Sequence, residues 1–499
     1  MVLGLGSILP YRRGQHRNNP FGYYLSAMRN FDRFLIRDGL DPIQDLLLVM
    51  RFGIYHHHIG TSIWAMTRLC VRMCIEQGLH KRNDILPSGG LLEEQMRRRV
   101  FWICYMMDRY SSITLNRPFA IKDSDIEIGL PADTDDEYLG TIQSATLKFD
   151  DLVNTSPPIA GTEMSAFVSC VKLRQISSRI CRYFADTMNK QLSTRSGHDE
   201  VFLATGHIHV AVQRFLGELE SWRATCPVYE APQCLFERVE WSDLQQAREA
   251  FHLFRRALDV APKRNGAPSQ SLLIQCQAAA ARVIQLYSDL YARSFATYTR
   301  SYFQMMFTAG LSLLYCVSVL SRINSSLVTQ GIQELERCRA TLTDMAINLP
   351  DARHYVAVFE ALFRHISKRL SHGQQRAMLL ENDHTAGLIQ DDASHQASYP
   401  ELVANESGID RQGTGDQFPY TGHAYQRGED EGVGITPIYD MPIPAVFGDG
   451  QSYLAAEGLS VFDSNMWNWD MLNDEALWNV GNYVVGDPST DFGIFDPNT

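Results

Sequence analysis

No cysteine here stands in a Cys-x2-Cys step with another. The ten fall at 70, 74, 104, 170, 181, 226, 234, 276, 316 and 338, mostly inside apolar helical patterns. This spacing argues against a disulfide framework or a zinc site and for reduced, buried thiols in a cytosolic or nuclear protein. HExxH, GxSxG, a P-loop and GxGxxG are also missing, so no familiar catalytic or phosphate-cradling motif asks for a role. No segment alternates apolar and polar residues as a strand does, and no internal repeat is evident. The opening MVLGLGSILPYRR lacks the charge-first order of a secretion signal, and glycine interrupts its short apolar run.

What is present is apolar bulk and a lopsided charge. With 499 residues and 45% hydrophobic content the chain can build a large core and two or three domains. The net charge of -12 conceals an asymmetry: residues 381–499 hold 21 acidic and only 2 basic residues, whereas residues 1–380 carry 43 basic and 36 acidic ones. A mildly basic body with an acidic tail fits a regulator of gene expression, without being diagnostic.

Residues 1–17 end in the basic cluster YRRGQHR and read as a solvated basic arm. Helices are expected over 21–37, 42–57 and 62–77, the last stopped by Gly78. His56, His57 and His58 point about 100° apart on a helix and cannot converge on one ion; His207 and His209 diverge likewise. The acidic run 132–137 lacks the ligand spacing and glycine of a calcium loop and reads as solvated surface. Further helices are expected over 164–184, 210–225, 240–260, 270–293, 302–320, 332–349 and 352–369. The 302–320 stretch has nearly the length of a membrane span, but Gln304, Thr308, Ser312 and Ser318 dilute it, and the central helix of a bundle is the favoured reading.

The rest is organised around residues 91–131, LLEEQMRRRVFWICYMMDRYSSITLNRPFAIKDSDIEIGLP. Glu94 and Arg98 form an acid-first i,i+4 pair, and 100–107 is apolar all round, which marks a helix wrapped by protein. Asp108 and Arg109 arrive while the helix continues. Burying them costs several kcal/mol unless they are paired, so partners are expected among Arg97, Arg98, Arg99, Arg117, Asp123 and Asp125. Pro118 then stops regular structure.

The order Gly78-Leu79-His80, Glu94, Arg97-Arg98-Arg99, Phe101-Trp102, Tyr105, Asp108-Arg109, Ser112, Arg117-Pro118, Ile121, Asp125-Ile126 and Leu130-Pro131 resembles the fungal-specific transcription factor domain, the regulatory middle homology region of fungal binuclear zinc cluster transcription factors. Upstream, Ile43-Gln44, Leu46-Leu47-Leu48 and Trp64 extend the resemblance; downstream, so do Leu216, Leu219 and Trp222, then Cys276, Ala279, Ala280 and Ile284. Asn116 departs from it, standing where the family usually has glycine. The resemblance implies a structural role, and no catalytic one, for Glu94, Arg98, Trp102, Asp108, Arg109, Arg117, Pro118 and Asp125. It also implies a cluster of six cysteines holding two zinc ions, and no stretch of this sequence fits one. The expectation is a shortened form of a longer regulator, or one that has lost its own DNA reader.

The composition changes beyond about residue 372. Within 373–499, expected to be largely disordered, residues 459–480 (LSVFDSNMWNWDMLNDEALWNV) place Phe462, Met466, Trp469 and Leu472 at helical spacing, with Trp467 and Trp478 nearby and acids between them. This reads as an activation-type segment that folds on a partner's groove; docking back onto its own body is the alternative. The expected architecture is all-α: an N-terminal arm over 1–17, a large multi-helix bundle over 18–372, and a disordered acidic tail. The function expected is a nuclear transcription regulator, an activator of a metabolic pathway or biosynthetic gene cluster. The alternatives are a non-DNA-binding accessory regulator that dimerises with a complete family member and, more remotely, a helical enzyme. Expected partners are transcription machinery or a coactivator at the tail, a homo- or heterodimer mate, and a small-molecule inducer, with no membrane. DNA is expected only indirectly or through an N-terminal module, and no cofactor is expected except zinc in a cluster upstream of Met1.

Overall fold

The computed structural model describes residues 1–29, 39–55, 63–83, 90–142, 149–154, 161–193, 198–263, 269–321, 325–349 and 352–391. Among them the fold is all-α: fourteen helices, two 3₁₀ turns and no strand. Met1–Ser371 form one compact unit and His372 opens another.

The first five helices are α1 (Val2–Arg12), α2 (Pro20–Met28), α3 (Asp41–Tyr55), α4 (Ile63–Glu76) and α5 (Gly90–Thr114). They share one core, to which α1 gives Ile8, α2 Tyr24, α3 Met50 and Phe52, α4 Cys70 and Cys74, and α5 Phe101 and Trp102. Helices α3 and α4 each bury one apolar stripe at helical spacing, Ile43, Leu46 and Met50 on the first and Met66, Cys70 and Cys74 on the second, whereas α5 is covered on several sides. Two short helices, α6 (Asp136–Thr141) and α7 (Phe149–Val153), follow and close a small cluster of Leu91, Ala132, Leu139 and Phe149.

The remaining helices are α8 (Ser165–Ser193), α9 (His198–Ala224), α10 (Val239–Val260), α11 (Gln270–Ala292), α12 (Arg300–Leu320), α13 (Ser325–Asn348) and α14 (Arg353–Asp391). They enclose the larger core, with α12 at its centre. Helix α12 alone among the described residues is long and apolar enough to cross a membrane; it is 89% buried inside the protein, as a bundle's central helix is. Gly310 lets it pack closely: a Cβ there meets the Phe359 ring at 2.6 Å and Cys338 Sγ at 2.8 Å.

Residues 1–17 are not a solvated arm. Helix α1 occupies most of them, and Arg12 donates to Thr297 Oγ1 (3.0 Å), Tyr298 O (2.8 Å) and Tyr55 O (2.8 Å). Its guanidinium lies 3.8 Å from the Tyr298 ring centroid, and burial lowers its pKa. The basic pattern misled because a guanidinium over tyrosine rings with carbonyl partners is stable well inside a surface. At the other end α14 runs through residue 372 to Asp391. Residues 392–499, and with them Phe462, Met466, Trp467, Trp469, Leu472 and Trp478, lie outside the described residues, as do His56, His57 and His58.

Candidate functional site

Along one face of α5 the polar side chains recur at alternating steps of three and four: Gln95, Arg98, Trp102, Tyr105, Arg109 and Ser112, all nearly fully buried. That spacing keeps them on one line of the helix. The chain leaving α5 doubles back along this line, and the side chains take its backbone in antiparallel order. Ser112 Oγ donates to Pro118 O (3.2 Å) and Arg109 to Ile121 O (2.9 Å). Trp102 donates to Gly129 O (2.9 Å) and Arg98 to Leu130 O (3.0 Å). Gln95 both accepts from Ala132 N and donates to Ala132 O, each at 2.9 Å. Apart from the short turn at Asp123–Asp125 the return loop forms little regular structure of its own, and these side chains satisfy much of its backbone.

The turn that starts the loop rests on Asn116, whose φ is +51°. Arg117 N reaches back to Ser112 O (2.8 Å) and Asn116 N to Ile113 O (3.3 Å), the double bond of a left-handed helix stop. Asparagine is, after glycine, the residue that best tolerates this conformation, which explains how it replaces glycine here.

Asp108 and Arg109 are both 0% exposed. Arg109 donates to Asp108 (2.6 Å), Asp123 (2.8 Å) and Ser178 Oγ (3.1 Å), with the rings of Tyr105 and Phe119 at 4.1 and 4.3 Å. Asp108 also accepts from Ala120 N at 3.1 Å. Burial pushes the Asp108 carboxyl up, more than Arg109 and the Ala120 amide pull it down. Burial works against the Arg109 charge, but Tyr105, Asp123 and Asp108 around it hold its pKa above the usual range. Asp123 sits on the 3₁₀ turn Asp123–Asp125 and also receives Tyr105 Oη (2.9 Å), Ser178 Oγ (2.6 Å) and Arg182. Its pKa is lowered: burial raises it, but the Ser178 hydrogen bond and Arg109 prevail.

Helix α8 carries this cluster on to a second one. Next to Ser178, Ser177 donates to Glu249 (2.8 Å), which Arg174 meets at 2.5 Å while also donating to Gln245 (3.0 Å). Two buried ionic clusters therefore sit on neighbouring turns of α8, one joined to α5 and its loop, the other to α10.

Not all the motif residues share this cluster. Glu94 and Arg98 pair at 2.8 Å, and Arg98 reaches Asp150 at 2.8 Å. Among the described residues Arg117 pairs with no acid; its guanidinium stacks 4.5 Å over Trp64, which Arg68 also approaches at 4.9 Å and which donates to Ser112 Oγ (3.2 Å). Asp125 is exposed and accepts from Ser124 (3.0 Å), so the mate of Arg109 is Asp123. Arg97, Arg98 and Arg99 do not reach Asp108; Arg99 binds Asp136 instead. The acidic run 132–137 is likewise engaged, since Asp133 accepts from Thr162 (2.5 Å) and Ser165 (2.6 Å). Sequence reasoning missed Gln95, Ser178, Arg174 and Glu249. The first was legible as part of the three-four polar stripe; the others come from distant helices. Cys70, Cys74 and Cys104 are free, buried thiols, and the neighbouring Cys70 and Cys74 together with burial push the Cys104 thiol up. Among the described residues no three His, Cys, Asp or Glu are placed to hold a metal ion.

With Arg109 sandwiched between rings and Asp108 closed off from solvent, the arrangement serves to hold a loop. Comparison with known proteins agrees on where this pattern belongs. Residues 11–224 match the fungal specific transcription factor domain. The match contains all of α5, its loop and the first ionic cluster, and it bears out the resemblance read from the sequence. Over 320 residues, 64% of this chain, the sequence is 26% identical to an uncharacterized transcriptional regulatory protein of Saccharomyces cerevisiae, covering 22% of that protein. Over 137 residues, 26% of this chain, it is 29% identical to a negative regulator of pleiotropic drug resistance from Candida glabrata, covering 14% of it. A Zn(2)-C6 fungal-type transcription factor of Fusarium oxysporum is 33% identical over 87 residues, 15% of this chain and 9% of that one. The chain thus spans less than a quarter of the length of these relatives. No solved structure matches. Domain and relatives alike are those of fungal transcription regulators.

Proposed function

We propose that this chain is the regulatory and activating part of a nuclear transcription regulator that controls a metabolic pathway or biosynthetic gene cluster. The observation that carries the reading is the domain match over 11–224, laid on a helix whose Arg98, Asp108 and Arg109 hold its loop. The body is the regulatory module, open to a small-molecule inducer and to a dimer mate, and it performs no catalysis. The acidic tail recruits transcription machinery or a coactivator through 459–480. Zinc and direct DNA contact belong to a module outside these residues.

Fusion of residues 440–499 to a neutral DNA-binding module tests the activating part. Reporter expression is expected, and its loss on replacing Trp467, Trp469 and Trp478 by Ala; a silent fusion removes the role. A fluorescent fusion of the whole chain is expected in the nucleus of a fungal cell. The spacing of the ten cysteines supports a second reading, a partner that pairs with a complete family member and never touches DNA itself. Tight, sequence-selective DNA binding by the purified chain would rule that reading out.

A further inference from the structure

Arg248 on α10 is 6% exposed, and its Nε is closed off from solvent with no hydrogen-bond partner. Among the described residues no carboxylate and no other acceptor meets the rest of its guanidinium. Arg98, Arg109 and Arg174, comparably buried, meet carboxylates at 2.8, 2.6 and 2.5 Å. Glu249, next in the chain, feels the Arg248 charge but is held by Arg174 and Ser177. What Arg248 has instead is the face of Tyr110 on α5, with 4.4 Å from guanidinium to ring centroid. One ring offsets only part of the cost of burying a guanidinium, so this cation is left short of a counter-charge.

Uncommitted donors gather around it. Trp241, seven residues earlier and so on the same face of α10, is 7% exposed. Its indole is directed at the Tyr302 hydroxyl of α12 without closing a hydrogen bond, and Nε1 is left unpartnered. Burial pushes that hydroxyl up to about 12; the Trp241 indole and Arg248 draw it down, whereas Tyr110 and Tyr55 raise it, which places all five side chains together. They come from α3, α5, α10 and α12, helices of both cores. Tyr55, Tyr110 and Tyr302 are half-buried, so the group opens to solvent.

We propose that Arg248, Tyr110, Trp241 and Tyr302 form the site of a small aromatic carboxylate, whose charged group meets the guanidinium and whose ring lies among the aromatic side chains. The chemistry is one-sided. A guanidinium, an indole N–H and phenol hydroxyls offer donors to an anion, and the one acid nearby, Glu249, is already taken. Walls made of rings favour a flat ring as the rest of the ligand.

The inference deepens the reading of the body as a module open to a small-molecule inducer and rests on it. The two fail separately, because induction is read in a reporter strain and the site is read by binding to the purified chain. In calorimetry on the full chain, at least one of benzoate, phenylacetate and cinnamate is expected to bind saturably with a Kd of about 1 mM or tighter, and uncharged benzyl alcohol roughly ten-fold more weakly. Arg248→Met keeps most of the volume and removes the charge. It should weaken binding roughly ten-fold or more and melt no lower than the natural protein, since a buried charge without a mate has gone. Failure of all three carboxylates to bind overturns the proposal. So does undiminished binding by Arg248→Met, which would put the anion on another basic surface, and so does a lower melting temperature for that variant, which would show the guanidinium to be satisfied within the protein.

Discussion

Asp123 receives hydrogen bonds from Tyr105, Arg109, Ser178 and Arg182, and therefore from α5 and α8 at once. Replacing it by Asn removes the charge while leaving the buried Arg109 with Asp108 alone, so Asp123→Asn is expected to cost about 3 kcal/mol in urea unfolding. Glu249 illustrates the same physics with a pH signature. Burial pushes its carboxyl up, but the charges of Arg174, His252 and Arg248 and the Ser177 hydroxyl hold it down at about 2, against an ordinary 4.5. A folded-state pKa below the unfolded one means that the stabilisation is complete above about 4.5 and is lost as pH falls toward 2. Thermal unfolding followed between those limits should show a steeper loss for the natural protein than for Glu249→Gln. These partnerships were half legible. That Asp108 and Arg109 need mates follows from their place beside an all-apolar run. That Asp123 supplies one, rather than Asp125 two residues on, depends on which carboxylate the 3₁₀ turn points inward.

Helix α5 shows how an element can be apolar on all sides and still carry a polar line. Gln95, Arg98, Trp102, Arg109 and Ser112 on that line meet the backbone of the returning chain and Tyr105 meets the Asp123 carboxylate, the longer side chains burying a stem behind the polar tip. Where the helix stops is fixed by Asn116 in the left-handed region. Asn116→Gly should be neutral or slightly stabilising. Asn116→Val, whose branched Cβ clashes there, should cost about 1–2 kcal/mol, read from the shift in urea midpoint. In α12 the constraint is space: the Cβ of Gly310→Ala must displace both the Phe359 ring and Cys338 Sγ. An overpacking penalty of about 1–3 kcal/mol is expected, measured as a lowered melting temperature. The helical spans were readable because one-sided apolar periodicity runs through nearly all of them, and the favoured reading of α12 as a bundle's centre agrees with its burial.

The body holds two large cores, one built mainly by α1–α5 with Ile121, Ile128 and Val171, and one within α8–α14. Besides the two clusters on α8, Arg12 ties α1 to the chain before α12, across 285 and 286 positions in sequence. Arg12→Ala should free α1 without unmaking the fold. Limited proteolysis is expected to cut within residues 1–17 several times faster, while the main melting transition moves little. Long-range ties of this kind have no local signature: Arg12 stands in YRRGQHR beside arginines that do remain exposed.

By itself the sequence determined that the protein is helical, that its charge divides between a basic body and an acidic tail, and that residues 91–131 resemble the framework of the fungal-specific transcription factor domain. Those properties are carried by spacing and composition, which are local. Only the tertiary structure decided that residues 1–17 join the body, that Asp123 is the mate of Arg109, that Arg117 lies on Trp64, and that Arg248 lies over Tyr110. Each of these pairs residues far apart in the chain or selects among chemically equal neighbours, and burial and direction, set by packing, make the choice.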